Sequence, residues 1–335
     1  MTSPSVEALA SGPLFDLPLP ELWFVLVFGL LGTFLFLDGF DFGAGAIFAT
    51  LTDDDAREAV LSAIGPFWDG NEVWLVVFGG ALFAAFPSVY AGLFSRHYLL
   101  MFGILGALIL RGLAPEMYEQ RHDERWQRWW GRSFVAGSIL APFLLGALVG
   151  NWLVGTSRSF TVIGIVVGIT VTALTVVSGA AFLRLKTRNA LPKTVTRIGL
   201  GAVVAYLLAV VITLGVLTVR LPAGVDAVLS APVLVLVAAS VALGVGYGVA
   251  LRRGWNMVAL VAAAGLTYGL IAVVALLMYP SIDPAAGLTI REAIVSTLPL
   301  NLMSIGAALL LPLIVTYFAV LYSAFSGPIT PDEAY

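Results

Sequence analysis

The sequence predicts an all-α integral membrane protein with about nine transmembrane helices, and three observations carry that expectation. Of 335 residues, 60% are hydrophobic and only 11% charged, with a mean hydropathy of +0.99, whereas a soluble domain carries about 25% charged residues. The apolar residues fall in continuous runs near the ~20 residues a helical span needs, without the alternation of a membrane barrel strand. No polar run exceeds about twenty residues, so 1–335 reads as one polytopic domain. Cysteine is absent, which excludes disulfides, thiolate metal sites and iron–sulfur ligation. The net charge of −3 gives no reason to expect a nucleic-acid partner.

Taken in order, residues 1–20 carry Glu7, Asp16 and four prolines but neither Lys nor Arg. A secretory signal needs a basic start and an apolar centre, so this stretch is expected as an extracytoplasmic segment before a retained first anchor. Nine spans are expected within 22–325: roughly 22–49, 72–94, 97–115, 133–154, 160–183, 198–219, 228–250, 256–279 and 296–325, followed by a tail at 326–335. The first and last exceed the minimum and can tilt. The first connection, TDDDAREAV (52–60), reads as a short solvated helix capped by Thr52 or an early aspartate. Small-residue tracts at 79–85, 179–182 and 241–248 offer places for close helix approach.

Lys and Arg then orient the chain. Arg57, Arg111, Arg121, Arg125, Arg128, Arg132, Arg184, Lys186, Arg188, Lys193, Arg197, Arg252 and Arg253 fall in one set of connections, and Arg96, Arg158, Arg220 and Arg291 in the other. Thirteen against four places the N-terminus outside and the C-terminus in the cytoplasm.

The chemistry concentrates in LDGFDFGAGA (37–46) and GPFWDGNEVWL (65–75). Ionisable groups at membrane depth cost roughly 2.5–3.5 kcal/mol each and tend to mark ion or proton paths. Asp38 and Asp41 are spaced i, i+3, on one helix face. They read either as a solvated cytoplasmic helix end or as a carboxylate route for protons. An acid near a helix C-terminus opposes the dipole, which weighs against an accidental pair. Asp69 and Glu72 repeat that spacing. They read either as first-turn acids beside interfacial tryptophans or, with Trp68, Asn71 and Trp74, as a buried polar network. Arg111 ends the run LLMFGILGALIL and either snorkels to the interface or neutralises a carboxylate or an anionic cofactor group. Asn301, with Ser296, Thr297 and Ser304, suits an interhelical hydrogen bond. The two histidines, His97 and His122, sit at a helix boundary and in an arginine-rich loop, where neither suits haem ligation.

At these motifs the chain resembles subunit II of the cytochrome bd-type quinol oxidases. The matching stretches are DGFDFGAG (38–45), PFWDGNEVWLVVFGGALFAAFPSVYA (66–91), LILRG (108–112) and PLNLMSIGAALLLPLIVTYFAVLY (299–322). The match is dense over 20–130, recognisable again over 290–325 and mostly hydropathy alone between. The resemblance implies nine helices as two four-helix bundles plus one extra helix, in a prokaryotic cytoplasmic membrane. It implies a heterodimer with subunit I, which carries two b-type haems and one d-type haem, oxidises quinol and reduces O2 to water. Asp69 matches the acid of the family's proton path, with Asp38 and Asp41 alongside, and Glu72 is expected on the same path. Trp68, Asn71 and Trp74 match packing residues, Arg111 an arginine near the subunit interface, and Asn301 falls in the last matching stretch. His97 inherits no role, no metal site is expected on this chain, and a quinone site here is left open. Two other readings compete: a proton-coupled transporter and a purely structural assembly subunit. Transporters commonly show repeated halves, and no second DGFD- or WDGN-like segment occurs.

Overall fold

Residues 9–121, 123–187, 191–221, 223–325 and 327 are described by the structure, a computed structural model. His122 therefore lies outside the described residues, as do residues 1–8 and nearly all of the 326–335 tail. Helix α1 (Leu19–Phe48) has Pro20 in its first turn, where a missing N–H costs nothing. Helix α2 (Asp54–Ile64) fills the first connection. Asp53 caps it by accepting a 3.2 Å hydrogen bond from the Ala56 N–H, which settles the cap left open between Thr52 and the aspartates.

Next come α3 (Trp68–Ala85) and α4 (Pro87–Arg96), so the expected span 72–94 is not one helix. Phe86 stands between them at φ −131°, ψ 62°. Pro87 has no N–H to continue the ladder, and its ring drives the preceding residue out of the α region. The 18 residues of α3 rise about 27 Å, slightly short of the ~30 Å hydrocarbon core. The remaining helices are α5 (Tyr98–Glu119), α6 (Glu124–Leu153), α7 (Val162–Lys186), α8 (Pro192–Arg220), α9 (Gly224–Val228), α10 (Ala231–Arg253) and α11 (Asn256–Met278). A small antiparallel hairpin, β1 (Ser281–Asp283) and β2 (Leu288–Thr289), then leads through α12 (Ile290–Ala293) to α13 (Thr297–Ala324). Among the described residues, eight helices are long and apolar enough to cross a membrane: α1, α5, α6, α7, α8, α10, α11 and α13.

Helix α1 runs through the middle, packed on α3, α6, α7 and α11. Helix α5 lies along α6, while α7, α8, α10 and α11 form a second group that meets the first where α6 and α1 press on α7. Gly43 and Gly179 explain that seam. A Cβ on Gly43 would lie 1.9 Å from the Thr175 carbonyl oxygen, and one on Gly179 would lie 2.4 Å from the Gly43 carbonyl carbon. The backbones of α1 and α7 therefore touch, and the tract at 179–182 serves as a small-residue contact. Beside it Phe40 stacks on Phe182 with centroids 4.1 Å apart.

Helix α13 lies outermost, with none of its most apolar stretch buried by this chain. It is joined to the rest by Phe318 against Trp74, at 5.2 Å, and by the Trp23 indole donating to Ser304 at 2.9 Å. Asn301 ties α13 to the short helical turns at 9–11 and Leu14–Asp16 that precede α1. Its Nδ2 donates to the Leu9 and Gly12 carbonyls at 2.7 and 2.8 Å, and its Oδ1 accepts from the Leu14 N–H at 3.0 Å. The ends of these short turns leave backbone groups unpaired, and a fully buried amide takes them.

Candidate functional site: a buried arginine–carboxylate cluster

Where α1, α3 and α5 converge, Asp38, Asp41, Asn71, Glu72 and Arg111 meet inside an otherwise apolar bundle. Asp38 and Asp41 are both 0% exposed, so the solvated-end reading does not hold. Arg111 is 1% exposed, and it does not snorkel. Its Nη2 donates to Asp38 Oδ1 and lies 3.6 Å from Asp41 Oδ2, while Nη1 donates to Glu72 Oε2 at 3.3 Å. The rings of Phe42 and Trp68 lie 5.0 and 5.7 Å from its Cζ. Arg111 thus lies inside α5 among buried side chains rather than in the connection that follows it. Gly137 places it: a Cβ there would sit 2.6 Å from the Arg111 nitrogen, so α6 closes directly on the α5 backbone beside the arginine.

Asn71 extends the cluster. Its Nδ2 donates to Asp41 Oδ2 at 2.8 Å, and its Oδ1 accepts from the Tyr322 hydroxyl at 2.7 Å. Tyr322, from α13, stacks on Phe67 at 4.7 Å. Sequence reasoning passed over this tyrosine. Its signal was a phenol one turn past Phe318, on the face that meets Trp74. Trp74 is buried, and Trp68 lies over Gly112, where a Cβ would come within 3.0 Å of its ring.

One guanidinium thus faces three carboxyl groups. Burying charge is costly unless the pairing is close and the remaining lone pairs are met. Asp38 Oδ2 and Asp41 Oδ1 are buried without a hydrogen-bond partner among the described residues. Chemically, those two oxygens are where the cluster can accept protons, and Arg111 offsets the charge left when protons depart.

Asp69 is not part of this buried network. It is exposed, its carboxylate accepts from the Gly70 N–H at 2.7 Å, and it lines an open groove of about 390 Å³ with Trp68, Pro115, Glu116 and Glu119. The helical turn of about 100° per residue is the reason: Asn71 and Trp74 face inward, which carries Asp69 about 200° away from Asn71. Glu72 stands between, its side chain 30% exposed and bonded to Arg111. Glu116 and Glu119 were also passed over, although their i, i+3 spacing near the end of α5 repeats the pattern of the other two pairs.

At the opposite end of the molecule, Arg96 donates to the buried Asp283 at 2.5 Å. His97 beside it is 1% exposed, packed at the boundary between α4 and α5. His97 is the one described histidine, and no group of three His, Cys, Asp or Glu side chains converges on a metal position among them. The enclosed cavity between the helix groups is lined by aliphatic residues such as Leu31, Val149 and Leu270 with the Thr170 and Thr213 hydroxyls, and by neither His nor Met.

Fold and site together define a multi-pass membrane protein with an ionisable cluster held between its helices. A profile described as cytochrome bd terminal oxidase subunit II matches residues 19–325, and the chain belongs to that family, whose members are subunits of an oxidoreductase complex. It is 32% identical to the cytochrome bd ubiquinol oxidase subunit 2 of Bacillus subtilis, over 89% of this chain and 93% of that protein. It is 33% identical to the cytochrome bd-I ubiquinol oxidase subunit 2 of Escherichia coli K12, over 50% of this chain and 48% of that one. The fold is also that of a chain in the solved bd oxidase from Geobacillus thermodenitrificans, with a TM-score of 0.76 and 16% identity over 91% of this chain and 98% of the other.

Proposed function

We propose that this chain is the non-haem-ligating subunit of a bd-type quinol:O2 oxidoreductase, paired with a haem-bearing subunit I that it stabilises. In this reading the partner holds two b-type haems and one d-type haem, and two quinols supply the four electrons that, with four protons, reduce O2 to two waters. The role of this chain is delivery of those protons from the cytoplasm, with the N-terminus outside and the C-terminal tail inside. The two helix groups around α1 and α7 would be the two four-helix bundles, and α13 the extra helix.

One observation carries the proton-path reading: a run of carboxyl groups leads from an open groove into an apolar bundle. It begins in the open groove at Asp69, Glu116 and Glu119, continues one turn along α3 at Glu72, and ends at Arg111, Asp38 and Asp41. Asp69 would be the entry group and Glu72 the link. Asp38 and Asp41 would be the inner acceptors, with Arg111 limiting the cost of their charge. Trp68 and Trp74 would hold the motif in place, and the exposed apolar residues Val73 and Val76 of α3 offer the adjoining face to a partner.

The purely structural reading has its own support, because a buried ion cluster can fix how α1, α3 and α5 pack. Asp69→Asn in the assembled complex separates the two. The proton-path reading expects normal haem content and reduced O2 consumption per haem. Wild-type turnover per haem would contradict it, and lowered haem content at unchanged turnover per haem would favour the structural role.

A further inference from the structure

The basic residues at the start of α6 line a second pocket, separate from the groove at Asp69. An open pocket of about 480 Å³ lies between the end of α1 (Phe48, Ala49), Arg57 of α2, Tyr118 of α5, and Arg128, Gly131 and Arg132 of α6. Its floor is apolar, closed by Val135 and Ala136, while its rim carries three guanidinium groups. Arg57 is fixed in place. Its Nε donates to the Leu51 carbonyl at 3.0 Å, and its Cζ lies 5.5 Å from the Phe48 ring centroid.

The rim is weakly neutralised. Asp54 faces Arg57 at 3.5 Å and Glu124 faces Arg128 at 3.4 Å, but these acids are 84% and 93% exposed. Pairs so open to solvent hold little energy. Arg132 has no acidic partner among the described residues. An anion entering the pocket therefore meets guanidinium groups that do not have to leave a strong bond.

Helix α6 continues the pocket into the membrane-facing surface. Arg128, Arg132, Val135 and Ile139 follow at spacings of four, three and four, so they form one stripe. Val135 is half-buried and Ile139 exposed. The stripe changes from cationic to aliphatic along a single helix face, which matches a molecule with an anionic head and a hydrocarbon body. A free phosphate would use only the first half. Basic pockets between transmembrane helices bind anionic lipid headgroups in this way.

We propose that this pocket is a binding site for one anionic membrane phospholipid, whose phosphate is held by Arg57, Arg128 and Arg132 and whose acyl chain descends along Val135 and Ile139. The test is native mass spectrometry of the purified complex with added phosphatidylglycerol, phosphatidylcholine of the same chain lengths, or inorganic phosphate. Phosphatidylglycerol should be retained in preference to phosphatidylcholine, and millimolar phosphate should not displace it. R128Q/R132Q should weaken retention about tenfold or more, given the worth of two basic groups at a lipid surface. R128K/R132K should retain most of the preference, and R121Q/R125Q, outside the pocket, should change nothing. If R128Q/R132Q does not assemble, R132Q alone carries the comparison. Equal retention of the two lipids, displacement by phosphate, or unchanged retention in R128Q/R132Q or R132Q would each overturn the assignment.

Discussion

Two acid pairs with the same i, i+3 spacing have opposite environments in this protein. Asp38 and Asp41 on α1 are both fully buried, bound to Arg111 and, for Asp41, to Asn71. On α3, Asp69 is exposed in a groove and Glu72 is only partly covered. Spacing puts two groups on one helix face, but the neighbours of that face decide its dielectric environment. Helix α1 is surrounded by other helices, whereas α3 turns Asn71 and Trp74 inward and leaves the Asp69 side open. Arg111 makes the difference chemical as well as geometric, because its side chain reaches both pairs, through Asp38 and Asp41 on one side and Glu72 on the other.

Removing the shared cation should break the comparison most severely. Arg111→Leu leaves two buried carboxyl groups without their counter-charge, an effect of about 3–5 kcal/mol. The thermal stability of the assembled complex should fall accordingly, and adding Asp38→Asn to the same chain should recover part of the loss. Asn71→Leu removes the amide between Asp41 and Tyr322 and should cost about 1–3 kcal/mol, through the unmet Asp41 oxygen. Tyr322→Phe deletes one hydroxyl at the edge of the cluster and should cost about 1 kcal/mol on the same melt. Asp69→Asn lies outside the packed network, so its effect on the melt should stay within about 0.5 kcal/mol while turnover falls.

The sequence made the helices legible and most of the contacts between them illegible. Continuous apolar runs are local, so the spans around α1, α7 and α11 could be placed within a few residues. The break at Phe86 was also local, marked by Pro87, but the long apolar run over 72–94 concealed it. Arg111 could not be assigned to Asp38 because the two stand 73 residues apart and meet only where Gly137 brings α6 against α5. Asn301 and Tyr322 show the same limit. Their hydrogen-bonding capacity was plain from residue type, yet their partners come from segments 251 to 292 residues away. Asp69 and Asn71 are two residues apart, and only the rotation of α3 against α1 determined which of them is buried.

Glu72 stands between the exposed Asp69 and the buried pair, so it offers the most direct test that the carboxyl run carries protons. The measurement is proton uptake by the assembled, reduced complex during a single reaction with O2, followed with a pH-indicating dye in the wild type and in Glu72→Gln. The proton-path account predicts slower uptake and equally slower O2 reduction in Glu72→Gln, with an unchanged haem spectrum. Uptake at the wild-type rate in that variant would contradict it.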